Sequence, residues 1–114
     1  MKIISYNVNG IRAALKKGFI EWLEAANPDV VCIQETKAHK EQLSDALINV
    51  DGYESYWCSG ERKGYSSVAT YTKQTPISTA RGFDIEKRFD SEGRLLIHET
   101  EHFTLINCYF PNGG

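Results

Sequence analysis

The sequence predicts an α/β protein in which a mixed, mainly antiparallel β-sheet carries helices on one face. Two short apolar runs, at 1–10 and 29–37, alternate with two segments that have apolar residues at helical spacing. Short runs rich in β-branched and aromatic residues follow from residue 53 onward. With 114 residues and no internal repeat or linker, the chain is expected to form one domain, 1–114.

The helical segments are KKGFIEWLEAANP, which should stop at Asn27-Pro28, and HKEQLSDALINVDG, which should stop at Asp51-Gly52. Their apolar stripes are Phe19, Trp22, Leu23 and Ala26 in the first and Leu43, Ala46, Leu47 and Val50 in the second. Each stripe is one helix face, so both helices are expected to pack on the sheet.

The predicted strands lie in MKIISYNVNG, DVVCIQETK, YESYWCS, SSVATYT, PISTARGF, RLLIHET and FTLINCYF. The last two should form a hairpin, 94–99 with 103–109, joined by a tight connection. The runs VVCIQ and TLINCY are apolar at successive positions, which indicates strands covered on both faces. Two helices cover only one face, so we expect another copy or a separate polypeptide to cover the other.

Composition narrows the class of protein. The hydrophobic fraction is 41% and the charged fraction 25%, as in ordinary globular domains. With no signal peptide and no apolar run near ~20 residues, a cytoplasmic protein without a membrane partner is expected.

Cys32, Cys58 and Cys108 lie far apart in apolar runs and are expected to be free thiols. The net charge of −2 argues against nucleic-acid binding through a basic surface alone, so phosphate contacts should be local or metal-mediated.

Polar residues follow three apolar strands. Asn7 ends the first, Glu35 follows the second, and Tyr109 and Asn112 follow the last. Ligands of open α/β sheets bind at the carboxyl ends of strands, and Mg²⁺ often takes only one or two protein carboxylates. If the strands are neighbours, these residues can form a site for a divalent cation and a phosphate. Alternatively, Asn7 and Asn112 are turn formers, Glu35 is a solvated acid and Tyr109 is a core aromatic.

Five stretches carry a family resemblance: IISYNVNGIRA, PDVVCIQETK, GYSSVATYTK, EGRLLIHE and LINCYFPNGG. In order and spacing they resemble the first half of exonuclease III-type apurinic/apyrimidinic (AP) endonucleases, of the endonuclease/exonuclease/phosphatase superfamily. The resemblance implies the N-terminal half of a four-layer α/β/β/α sandwich, in which two α/β halves pack sheet against sheet. It also implies a DNA-repair nuclease that uses Mg²⁺, with Mn²⁺ as a substitute. Such an enzyme cuts double-stranded DNA 5′ to abasic sites and trims 3′ ends.

The resemblance also implies roles for individual residues. Glu35 resembles the principal metal-binding carboxylate, Asn7 a residue of the metal and phosphate site, and Tyr109 the active-site tyrosine at the scissile phosphate. Four further residues resemble substrate contacts: Asn112 at the phosphate, Lys37 and Arg12 as cations near the DNA backbone, and Tyr65 in a DNA-contacting loop. Asn9 stands where some relatives carry Asp, which weakens its link to a metal.

The second-half motifs of that family, Asp-x-Asn and Ser-Asp-His, are missing from the sequence. His39 begins a predicted helix, and alternation places His98 and His102 on the exposed side of the hairpin. We therefore expect little or no turnover until a C-terminal half completes the site. Two alternatives stay open: a non-catalytic half-sandwich that self-associates through its uncovered sheet face, or another enzyme of the superfamily, such as an RNA nuclease or inositol-phosphate phosphatase.

Overall fold

The computed structural model describes residues 1–59, 67–81 and 95–109, apart from the side chain of Lys40. The strands are β1 (Ile3–Asn7), β2 (Val30–Gln34), β3 (Glu54–Cys58), β4 (Val68–Thr72), β5 (Ser78–Ala80), β6 (Leu95–Glu99) and β7 (Thr104–Cys108). The helices are α1 (Ile11–Lys16), α2 (Phe19–Ala26) and α3 (Asp45–Ile48), and Lys40–Gln42 form a 3₁₀ turn. No helix in the described ranges is long and apolar enough to cross a membrane.

The strands form two sheets. The first has the order β1-β2-β4-β3, and the second has the order β5-β6-β7. Strands β1 and β2 are parallel, and the other neighbours are antiparallel, so the predicted mixed and mainly antiparallel class is confirmed. The expectation of one sheet was wrong. After β4 the chain forms β5, which pairs with β6, and β6 pairs with β7 as the predicted hairpin.

The helices are shorter than their patterns predicted. The first segment begins its helix at Phe19, after Gly18 with a φ of 100°, and it is preceded by α1, a helix that was not predicted. Asn27 ends α2 in the left-handed conformation with a φ of 46°, directly before Pro28, as the sequence indicated. In the second segment the 3₁₀ turn is followed by Ser44 in an extended conformation, and only the single turn of α3 is α-helical. Serine and aspartate bond to nearby backbone groups outside helices, which favours a late helix start here.

The main core lies between the helices and the first sheet. Alternate residues of the central strands point to the helices, including Val31, Ile33, Ala69 and Tyr71, and all of them are buried. From the helical side, Ile11, Phe19, Leu23 and Leu47 fill the same cluster. Most of each predicted stripe therefore reaches the core. The prediction was wrong for Ala46, which is exposed because the second segment is α-helical only over α3.

The second sheet covers the opposite face of the first. Cys58 and Val68 of the first sheet form a buried cluster with Leu96 of β6, and β7 lies against β2 and β4. The prediction that nothing in this chain would cover that face was wrong. Self-association through it loses its basis, because the face is already buried. The described residues form three layers: helices, first sheet and second sheet.

His98 also departs from its prediction. Its side chain is 2% exposed rather than on the outer side of the hairpin. Nε2 lies 2.9 Å from the Thr70 hydroxyl, and Nδ1 lies 2.9 Å from the Thr79 hydroxyl. Alternation along a strand could not tell which face of β6 meets the first sheet. The three cysteines, all among the described residues, form no disulfide, as expected, and Cys32 and Cys58 are buried.

Candidate functional site

The candidate site begins where the parallel strands β1 and β2 end side by side. Asn7 pairs in register with Gln34, the residue before Glu35. The pairing continues into the loops, because the Gly10 amide donates to the Glu35 carbonyl at 2.8 Å and the Ile11 amide to the Thr36 carbonyl at 2.9 Å. The predicted meeting of these two strand ends is therefore confirmed, and their loops are joined by backbone hydrogen bonds.

The backbone at this edge is unusual. Asn9, Glu35, Lys37 and Ser67 have positive φ angles of 49°, 56°, 53° and 93°. Such angles are uncommon for residues other than glycine, and each costs on the order of 1–3 kcal/mol, so it persists only where the surroundings hold it. Thr36 ties two of these segments together: it is 1% exposed, its amide donates to the Ser67 carbonyl at 3.3 Å, and its hydroxyl hydrogen-bonds the Ser67 hydroxyl.

Tyr109 reaches this edge from the second sheet. It follows β7, and its hydroxyl donates a hydrogen bond to Glu35 Oε1 at 2.9 Å. Both side chains are half-buried. The structure thus brings together a carboxylate and a phenol that the sequence predicted for one site, although they follow strands of different sheets.

Lys37 and the two asparagines form a second set of contacts. Lys37 Nζ donates to Asn9 Oδ1 at 2.5 Å. Asn7 Oδ1 accepts the backbone amide of Asn9 at 3.0 Å, which holds the turn after β1. Among the described contacts, the Asn7 side chain bonds Asn9 rather than Glu35. Asn7 lies beside Glu35 by strand register, and its amide oxygen keeps a second lone pair for a further ligand.

The remaining predicted residues are placed less closely. Arg12 is exposed in the first turn of α1, directly after Ile11, whose amide donates to the Thr36 carbonyl. Its side chain has no hydrogen bond to Glu35 or Tyr109 among the described contacts. Asn112 and Tyr65 lie outside the described residues, so their roles stay predictions.

The donor set suits a hard cation only in part. Within the described ranges no group of three or more His, Cys, Asp or Glu side chains could hold a metal ion. Glu35 offers one carboxylate, and Asn7 can add an amide oxygen. One or two protein oxygens are a sparse but sufficient set for Mg²⁺, which keeps several waters and often binds substrate phosphate.

Four residues that hold the strands and loops of the site in place were given no role from the sequence: Gln34, Thr36, Ser67 and Asn107. Thr36 and Ser67 carried no signal, because their burial depends on which loops meet. Asn107 did carry one. It is the polar residue inside the apolar run TLINCY, and a polar side chain in a buried strand is almost always hydrogen-bonded.

Comparison with known proteins shows the family to which the chain belongs. The profile described as "Endonuclease/Exonuclease/phosphatase family" matches residues 4–106. The chain belongs to the endonuclease/exonuclease/phosphatase family. Within it, "Recombination repair protein 1" of Drosophila melanogaster is 42% identical over 114 residues, covering 100% of this chain and 16% of that protein. The "DNA-(apurinic or apyrimidinic site) endonuclease" of Dictyostelium discoideum is 40% identical over 114 residues, covering 100% of this chain and 31% of that protein.

The same family relation is seen in three dimensions. An AP endonuclease from Archaeoglobus fulgidus superimposes with a TM-score of 0.84 at 32% identity, covering 99% of this chain and 42% of that one. The resemblance to AP endonucleases within the family is thereby confirmed, as is an architecture consistent with half of their sandwich. The chain spans less than half the length of each of these three relatives.

Proposed function

We propose that this chain supplies the first part of the active site of a Mg²⁺-dependent DNA-repair nuclease. The enzyme would hydrolyse the backbone of double-stranded DNA 5′ to abasic sites and trim 3′ ends. The observation that carries the proposal is the 2.9 Å hydrogen bond between Tyr109 and Glu35, at an edge where two sheets meet. It places the Tyr109 hydroxyl, a hydrogen-bond donor, beside a carboxylate that could hold a metal ion at a bound phosphate.

Glu35 and Asn7 are the residues that would hold the cation. Glu35 contributes the negative charge, and its Oε2 is not the atom bonded to Tyr109. Asn7 contributes an amide oxygen from the neighbouring strand end. When bound there, Mg²⁺ or its substitute Mn²⁺ would polarise the phosphoryl oxygen and stabilise the leaving alkoxide.

Tyr109 would bind the scissile phosphate. Its hydroxyl has one hydrogen, which is donated to Glu35 in this structure. With substrate present, the same hydrogen can be donated to a phosphate oxygen, where negative charge increases during the reaction. Hydrogen-bond donors placed at such a position are typically among the largest contributions to catalysis. Asn112, predicted to contact the same phosphate, would act from the segment after Tyr109.

Lys37 and Arg12 would contact the flanking DNA backbone. Lys37 is half-buried and held by Asn9, whereas Arg12 is exposed on α1 at the same edge. The net charge of −2 requires that such contacts be few and local. Tyr65 is proposed to add a contact from its loop.

The partner that completes the site would be the C-terminal half of the same kind of sandwich. The described residues form three of its four layers. On the outer face of the second sheet, Ile97 pairs with Ile106, and Ile106 is 52% exposed. Helices of a second half would bury this face and bring the missing base and metal ligands to the site.

A chimera tests the proposal. Residues 1–114 are joined to the remainder of the Archaeoglobus fulgidus AP endonuclease at the structurally equivalent position, and cleavage of a duplex with a tetrahydrofuran abasic analogue is measured with Mg²⁺. We expect metal-dependent cleavage that Glu35→Gln reduces by on the order of 10²-fold or more. Glu24→Gln, a change of an exposed glutamate on α2, is the matched control.

Two outcomes would overturn the proposal. One is a folded chimera that cleaves the abasic duplex no faster than its Glu35→Gln variant. The other is a chimera that prefers an inositol polyphosphate or single-stranded RNA to the abasic duplex, which would place the chain in another branch of the superfamily.

A further inference from the structure

We propose that the hydrogen bond between Gln34 and Asn107 is a positioning contact that sets the distance from Tyr109 to Glu35. The inference rests on the function proposed above. Gln34 directly precedes Glu35, and Asn107 lies two residues before Tyr109. The contact therefore joins the two sheets immediately behind the residues that would perform the chemistry.

The Gln34 side chain makes hydrogen bonds that connect three strands. Its Nε2 donates to Asn107 Oδ1 at 3.2 Å and to the Cys32 carbonyl at 3.0 Å. Its Oε1 accepts the Ser5 hydroxyl of β1 at 3.4 Å. One side chain thus links β1, β2 and β7, the three strands whose ends carry the candidate site.

Asn107, at the other end of the contact, is also hydrogen-bonded to β4 of the first sheet. It is 1% exposed, and its Nδ2 donates to the Ala69 carbonyl at 2.8 Å and to the Thr70 hydroxyl at 3.1 Å. The Thr70 hydroxyl also contacts His98 Nε2, and His98 Nδ1 contacts Thr79. These polar side chains therefore contact one another in series, and together they connect the first sheet with all three strands of the second.

The apolar contacts between the sheets constrain this register less directionally than the hydrogen bond does. Cys58, Val68 and Leu96 exclude water, and Tyr109 packs against them. Apolar contact is non-directional, so it permits small sliding of one sheet over the other, whereas hydrogen bonds fix distance and angle. Asn107 and Tyr109 lie on the same side of the chain, about 6.6–6.8 Å apart along the strand. A shift of β7 relative to β2 would therefore move the Tyr109 hydroxyl by a similar amount.

Misplacement of a catalytic group by about 1 Å can cost on the order of 10² in rate. If Gln34 has only a structural role, Gln34→Met lowers the fraction of folded protein and leaves kcat of the folded part unchanged. The resulting loss of total activity is then the same with and without the Tyr109 hydroxyl. A positioning role predicts a lower kcat that depends on the presence of the Tyr109 hydroxyl.

The kinetic test uses the chimera described above. Gln34→Met removes the side-chain amide, both its oxygen and its NH2 group, and keeps a similar volume. We expect kcat on the abasic duplex to fall about tenfold or more while KM changes by less than about twofold. In a Tyr109→Phe background, Gln34→Met should lower kcat by less than about twofold. Gln74→Met, at an exposed glutamine, is the matched control and should match the parent.

A second readout does not depend on activity. The 114-residue chain is labelled with 3-fluorotyrosine, and the Tyr109 signal in the fluorine NMR spectrum is assigned by its loss in Tyr109→Phe. We expect Gln34→Met to shift or broaden this signal, and Gln74→Met to leave it unchanged.

Two results would overturn the inference: equal factors for Gln34→Met with and without the Tyr109 hydroxyl, or an unchanged Tyr109 signal. If the parent chimera does not cleave the duplex, the proposed function fails, and the NMR result decides the positioning contact alone.

Discussion

Tyr109 and Glu35 are 74 residues apart in the chain, yet the tyrosine hydroxyl lies 2.9 Å from a carboxylate oxygen of the glutamate. The two residues follow strands of different sheets, so the bond depends on how the sheets pack. It is also the contact from which the proposed active site is built.

Tyr109→Phe should lower kcat of the chimera on the abasic duplex by on the order of 10²-fold, because it removes one donor to the phosphate. KM should change little if the donor acts mainly in the transition state. Tyr56→Phe is the matched control, since the Tyr56 hydroxyl also bonds a glutamate, Glu54, at 2.7 Å. Equal losses in both variants would show that the site does not depend on the Tyr109 hydroxyl.

Lys37→Gln should weaken binding of the abasic duplex and reduce the slope of log affinity against log salt by about 0.9, the value of one phosphate contact. Fluorescence anisotropy of the chimera in EDTA, which prevents cleavage, measures both quantities across a salt series. Lys73→Gln is a close control, because Lys73 also bonds an asparagine, Asn27, but at the opposite end of the first sheet. An unchanged slope for Lys37→Gln would remove Lys37 from the DNA surface.

Thr36→Val should lower the free energy of unfolding by about 1–3 kcal/mol, because it leaves the buried Ser67 hydroxyl without its partner. Urea unfolding of the 114-residue chain measures this change. Thr104→Val, an exposed threonine of β7, should have little effect. Adding Ser67→Ala to Thr36→Val should recover part of the loss, and a further full loss would contradict the hydroxyl pairing.

The stability of the chain should fall as the pH is lowered below about 6.5. Burial, and to a smaller extent the charge of Arg81, lowers the pKa of His98 below its ordinary value of 6.5. A histidine with a lowered pKa in the folded state contributes stability that is fully present above its unfolded pKa. That stability is lost as the pH falls from the unfolded pKa toward the folded one, because the unfolded state binds the proton more tightly.

Urea unfolding between pH 5 and pH 7.5 measures this dependence. His98→Asn should flatten the pH dependence, and His102→Gln, a change of an exposed histidine, should retain the wild-type curve. A flat curve for the wild type, or the same slope after His98→Asn, would contradict the assignment to His98.

Structural features that depend on a few neighbouring residues were predicted well. Asn27-Pro28 ended α2, and the tight connection joined β6 to β7, with the Thr100 amide bonded to the Phe103 carbonyl at 2.9 Å. The polar residues at strand ends also lay where predicted. Each of these features depends on backbone preferences within a few residues, which the sequence displays directly.

Pairing of strands was predicted less well. The pattern of β5, β6 and β7 showed that they are strands, but gave no reason for them to form a second sheet. The same limit explains His98 and Asn107, because alternation places them on one face without saying what covers it. The buried pair of Thr36 and Ser67 depends likewise on two loops that meet only in the folded chain.

The sequence by itself therefore determined the class of fold, the strand ends and the residues Glu35, Asn7 and Tyr109 as the candidate chemistry. Only the tertiary structure decided that two sheets pack face to face within this chain, and that Gln34 and Asn107 join them behind the site. The physical reason is the separation along the chain over which each interaction acts. Propensity and periodicity act between neighbours in the chain, whereas the partner of a strand face is chosen by burial and hydrogen bonding between segments far apart in sequence.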